Sequence, residues 1–118
     1  MDDARLDLFH PRDSAVVVSI RGALGAPACD AFERSIDDLI QARHQLVILD
    51  VADLTYLGSR ALGDMIRLRN AQRELGGKVR LAAPRPEIAR LFELARLDEA
   101  FPTFRSVQDA LSYAGPNL

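Results

Sequence analysis

Beyond its opening residues, this chain never passes from one strand pattern to the next without a helical pattern between them. The central link is Leu46-Val47-Ile48-Leu49, an unbroken apolar run that stops at Asp50. Such a run suits a strand covered on both faces, the situation of a parallel strand inside an α/β sheet. Upstream, Leu6-Asp7-Leu8-Phe9 alternates, His10-Pro11-Arg12-Asp13-Ser14 punctuates, and Ala15-Val16-Val17-Val18-Ser19-Ile20 is β-branched and closed by Gly22. These segments predict a hairpin. From Pro27 to Arg43 the period becomes helical, with Phe32, Ile36, Leu39 and Ile40 on one face. Val51 to Gly58 reads as a connector. A second helix is expected from Ser59 to Leu75, with Leu62, Met65, Ile66 and Leu75 inward and Gly76-Gly77 as its stop.

Lys78 to Ala83 is the next strand. Pro86 suits the first turn of a third helix carrying Ile88, Leu91, Phe92 and Ala95. A brief strand around Phe101 to Phe104 precedes a last helix capped by Ser106, with Asp109 three residues on. The order is β-β-α-β-α-β-α-β-α, an α/β fold with a mostly parallel sheet and an antiparallel edge at the N-terminus. One domain over residues 1–118 is expected, with Ala114 to Leu118 frayed.

Composition narrows the function. The net charge is -2, and the arginines are interspersed with acids, so no basic stripe offers itself to nucleic acid. No apolar run is long enough to span a membrane. Met1-Asp2-Asp3-Ala4 lacks the pattern of a signal peptide. Cys29 is the one cysteine, which excludes an internal disulfide. The expectation is a cytoplasmic protein in a reducing compartment, without cofactor or metal.

The useful rim of an open α/β sheet lies beyond the carboxyl ends of its strands. Three loops should meet there: Gly22 to Ala26 (with Leu24 and Gly25, running on to Pro27), Ala52 to Ser59 (with Thr55 and Gly58), and Pro84-Arg85. Ser59 would cap the second helix, its oxygen accepting from a first-turn N–H. The same hydroxyl could also be modified, because a phosphoryl group there would face free N–H groups at the positive end of the helix. His10 and His44 show no ligand spacing and are expected at an exposed loop or helix end. Asp50, Asp53 and Asp64 could converge as an acid or metal cluster. Cys29 is expected to pack half-buried, and no nucleophile–base set can be assembled.

The stretch Leu46 to Gly63 resembles the central segment of STAS domains, the modules shared by sulfate transporters and anti-sigma factor antagonists. A hydrophobic strand, Asp50, a loop with Leu54-Thr55-Tyr56, and a helix opening at Gly58-Ser59-Arg60-Ala61-Leu62-Gly63 follow the family's order. Gly76-Gly77-Lys78-Val79-Arg80-Leu81 is similar to its fourth strand. Ile20 to Leu24 is similar to its second, and Leu91 to Leu111 to its closing segment. The chain departs from the family's Asp-Ser-Ser-Gly-Leu-Gly motif at Gly58, Arg60 and Ala61, and Gly25 stands where many members carry an aspartate. The resemblance implies a non-enzymatic antagonist, a monomer or weak dimer, that binds an anti-sigma factor with serine kinase activity. It implies phosphorylation at Ser59 and docking through Gly22, Leu24, Gly25, Pro27, Thr55, Gly58, Ser59, Arg60, Leu62, Gly63 and Arg85. An unswitched adaptor in a stress-signalling or lipid-transport complex has the same fold, and a small-ligand binder is the remaining alternative.

Overall fold

The backbone of the central sheet follows directly from the two apolar runs. The computed structural model describes residues 4–114; the expected fraying lies outside them from position 115 onward. β1 (Arg5–Arg12) pairs antiparallel with β2 (Ala15–Leu24), and β2 pairs parallel with β3 (Leu46–Asp50). β4 (Leu54–Leu57) pairs parallel with the far end of β2. β5 (Lys78–Ala82) lies parallel to β3, and β6 (Thr103–Phe104) parallel to β5. The sheet order is β1-β2-β3-β5-β6, with β4 set off that path beside β2. Four helices cover it: α1 (Cys29–Ala42), α2 (Ser59–Glu74), α3 (Pro86–Leu94) and α4 (Val107–Ser112).

β2 and β3 are buried on both faces, and their alternation divides the core. Val16, Val18, Ile20, Val47 and Leu49 face the larger cluster with Phe32, Met65, Leu68, Phe92 and Phe101. Ala15, Val17, Leu46 and Ile48 face a smaller one with Ala82 and Ala110 of α4. The expected inward face of α1 is observed, with Phe32, Ile36 and Leu39 buried. That of α2 is rotated from the expectation: Ala61, Met65, Leu68 and Gln72 are the buried positions, while Leu62 and Ile66 flank them. Ser106 caps α4 as expected, its Oγ accepting from Asp109 N at 3.0 Å.

Three boundaries differ from the sequence reading. β1 continues through Pro11, which an edge strand tolerates, with a register shift between Phe9 and Arg12. β2 does not stop at Gly22; Gly22 adopts φ 88°, the pairing register shifts there, and the strand resumes to Leu24. The connector Val51 to Gly58 contains β4. These changes extend the sheet toward the mouth of α2.

Candidate functional site

β4 fixes the entrance of α2. Ala23 and Leu24 pair with Tyr56 and Leu57, Gly22 N donates to Asp53 O at 2.9 Å, and Gly58 N donates to Leu24 O at 3.0 Å. Gly58 is extended, and its carbonyl accepts the first helical bond from Leu62 N. Gly58 therefore occupies the cap position, and Ser59 is the first helical residue. The expected cap by Ser59 does not form, since no side chain caps α2. The Ser59 side chain is exposed.

The missing side chain at position 58 has a local reason. A Cβ there would stand 3.2 Å from Leu24 O and 3.5 Å from the Tyr56 ring. Glycine lets the β2 end and β4 close against the helix mouth. Tyr56, which the sequence reading passed over as a loop residue, is 57% exposed and walls the same place, also reaching Gly25. Leu24, Gly25, Tyr56, Gly58, Ser59 and Arg60 line a shallow depression of about 260 Å³.

Arg60 reaches across to α1. Its Nη2 donates to Asp30 Oδ1 at 2.7 Å and to Glu33 Oε1 at 2.9 Å, and these bonds raise its pKa, Asp30 first. The bridge offsets the cost of a cation in the first turn of a helix. Cys29 is buried, not half-buried, and its thiol donates to Gly25 O at 3.2 Å.

The other expected rim residues separate by role. Pro27, Thr55, Gly63 and Arg85 are exposed, and Gly22 is half-buried. Arg85 Nε donates to Ala52 O at 3.2 Å, tying the third loop to the second. Leu62 is half-buried against the core, and the Leu24 side chain is wholly buried. Leu24 thus contributes its backbone carbonyl, not a side chain, to the rim.

The acidic cluster does not assemble. Asp50 accepts from Ser19 Oγ and Ala52 N, Asp53 stands 3.9 Å from Arg21, and Asp64 pairs with Arg67. Among the described residues no group of three His, Cys, Asp or Glu could hold a metal ion. His10 and His44, in contrast, meet: their rings stack with centroids 5.4 Å apart. His10 lies within β1, not in a loop. Burial, and secondarily the charge of His10, lowers the His44 pKa. Nothing in the spacing of residues 10 and 44 signals this contact, which depends on β1 lying beside the end of α1.

These observations define a small α/β domain whose distinctive surface is a helix mouth with an exposed, uncapping hydroxyl on a ledge built by paired strand ends. The STAS domain model matches residues 9–110, and the chain belongs to the STAS domain family. Its fold is similar to that of an anti-sigma factor antagonist from Mycobacterium paratuberculosis, with TM-score 0.82, 23% identity, and 93% of this chain and 92% of that one covered. It is also similar to the phosphorylated form of the Bacillus cell fate determinant SpoIIAA, with TM-score 0.73, 18% identity, and coverage of 91% and 96%. A putative anti-sigma factor antagonist from Thermotoga maritima gives TM-score 0.74, 16% identity, and coverage of 91% and 90%. No curated protein sequence matches. No helix among the described residues is long and apolar enough to cross a membrane.

Proposed function

We propose that this protein is an anti-sigma factor antagonist that acts by docking, without catalysing a reaction. Its rim covers an anti-sigma factor that is also a serine kinase, freeing a sigma factor in the cytoplasm, and phosphorylation of Ser59 ends the contact. The observation that carries this reading is the exposed Ser59 side chain at the first position of α2, unused as a cap. A kinase can reach it without unfolding the helix, and a partner covering the ledge must cover it. A phosphate would place about -1.5 to -2 charges at the middle of that contact. Desolvating a dianion there without a cationic partner costs several kcal/mol, and each ~1.4 kcal/mol is tenfold in affinity.

The test is incubation with the cognate kinase and ATP, followed by mass spectrometry and a binding titration. Phosphate on Ser59, absent in Ser59→Ala, with binding by Ser59→Asp weakened at least about 100-fold, is expected. Phosphate on another residue, with Ser59→Ala still fully modified, would overturn the assignment.

One observation favours a second reading, an adaptor of the same fold without the switch. Arg60, the cation nearest Ser59 in sequence, already engages Asp30 and Glu33 through Nη2, and these carboxylates would compete with a phosphate for it. An adaptor would bind its partner equally well as wild type and as Ser59→Asp.

A further inference from the structure

The end of α2 remote from Ser59 carries a second place of distinct chemistry. Arg73 lies in its last turn, and 14 residues of helix separate the two ends by about 21 Å. There Arg69, Gln72, Arg73, Lys78, Glu99 and Pro102 line a depression of about 380 Å³, within the ~300–1,000 Å³ span of small-molecule sites. Lys78 is the only lysine of the chain, whose net charge is -2. Among the described residues neither Arg69, Arg73 nor Lys78 enters an ion pair. Three cations face one carboxylate, so this hollow is locally positive in an acidic protein.

Gln72 fixes part of the wall of this hollow. It is 1% exposed, and its Nε2 donates to His44 O at 2.8 Å and Lys78 O at 3.2 Å. Reversing the amide would press Oε1 against two carbonyl oxygens, so its orientation is fixed. Oε1 is consequently buried without a donor, a condition folded proteins rarely leave unmet. The neighbouring backbone is shaped around this side chain. A Cβ on Gly77 would come within 2.7 Å of Nε2 and 2.8 Å of Gln45 O, which no ordinary residue could accommodate.

We infer that this hollow is a binding site for the phosphate group of a small phosphorylated molecule. The phosphate takes the cations, the guanidinium groups offering paired N–H donors, while Gln72, tied to the backbone of residues 44 and 78, is a fixed part of the wall. A free phosphate monoester and the phosphodiester headgroup of an anionic phospholipid both present such a group.

The test uses amide chemical shifts of the full chain at low salt and pH 8. Glycerol phosphate should give a saturable response confined to residues around 69–78 and 99–102. Arg73→Glu and Lys78→Glu, both at exposed positions, should each weaken it by about tenfold or more. A response to phosphatidylglycerol vesicles but not to glycerol phosphate assigns the site to a headgroup. Silence toward both, or binding that survives both charge reversals, overturns the inference. Ser59 is untouched throughout, so the result stands apart from that of the phosphorylation experiment.

Discussion

The two faces of the sheet are built differently. One is covered by α1, α2 and α3 and holds Phe32, Phe92 and Phe101, the last two meeting edge to face at 5.2 Å. The other is covered by the six-residue α4 and, among the described residues, buries Ala15, Val17, Leu46, Ile48, Ala82 and Ala110, with Phe104, Val107 and Leu111 partly buried against them. What α4 lacks in apolar area is supplied by a polar clasp. Arg80, 6% exposed, rises from β5 and donates to Ala110 O at 2.6 Å. Its guanidinium also lies over the rings of Phe104 and Tyr113, at 5.6 and 5.7 Å. Burial lowers its pKa, with Arg12 adding to the effect, yet arginine remains charged. The site belongs to the thick face because α2 does, and its geometry inherits the rigidity of that packing. The thin face relies on this clasp together with a small apolar cluster.

The largest effect should come from breaking the thick face. Leu68→Ala removes a fully buried side chain under α2 and should cost about 2–5 kcal/mol, lowering Tm by roughly 10–20 °C. A Tm within a few degrees of wild type would show that α2 is not anchored as described. Next is Arg80→Ala, which leaves Ala110 O without that donor and should cost about 1–3 kcal/mol. Hydrogen exchange distinguishes the two: Arg80→Ala should speed exchange in 107–112 and leave α1 and α2 near wild-type protection. Uniform acceleration across all helices would erase the distinction between faces.

How much of this was legible depended on distance along the chain. The order of strands and helices was readable because β2 and β3 are short-range patterns, and Ser106 announced its cap three residues ahead. Leu68 escaped notice because the apolar stripe of α2 is interrupted by Gln72, a polar residue buried through bonds to the backbone of residues 44 and 78. β4 was hidden because Leu54-Thr55-Tyr56-Leu57 is only four residues long and its burial runs in, out, out, in, not in strict alternation. The three rim segments do follow the sheet's strands, but Gly22 to Leu24 and Leu54 to Leu57 are paired strand and not loop. That Gly58 and not Ser59 caps α2, and that Arg60 meets Asp30 and Glu33, rest on contacts some 30 residues apart. No local pattern encodes them.

A smaller effect tests the outer margin of the thick face. His44 Nδ1 is buried with no hydrogen-bond partner, and desolvation, then His10, depresses its pKa below 6.5. The folded state therefore binds its proton less readily than the unfolded chain. The associated stability is present above about pH 6.5 and is lost as pH falls through the depressed folded value. Tm should drop between pH 7.5 and pH 5, and His44→Gln should flatten part of that drop. An identical pH profile in the variant would place the dependence on other groups.

The smallest effect belongs to Arg60, although it joins α1 to α2 at the site itself. Both of its ion pairs lie at the surface, the Arg60 side chain being 54% exposed and its partners 78% and 47%. Exposed pairs are screened by water and salt and contribute little to stability. Arg60→Ala should therefore shift Tm by no more than a few degrees, less still in high salt, and should leave exchange in α4 unchanged. Its consequence should appear in function. If Ser59 is phosphorylated as proposed, the variant takes away the cation that follows it and leaves Asp30 and Glu33 uncompensated on α1, which should slow transfer of the γ-phosphoryl group of ATP to the Ser59 hydroxyl. A several-fold lower phosphorylation rate with Tm nearly unchanged is the expected result. An unchanged rate would mean the bridge tunes neither stability nor the site, and that the thick face positions Ser59 through its apolar packing alone.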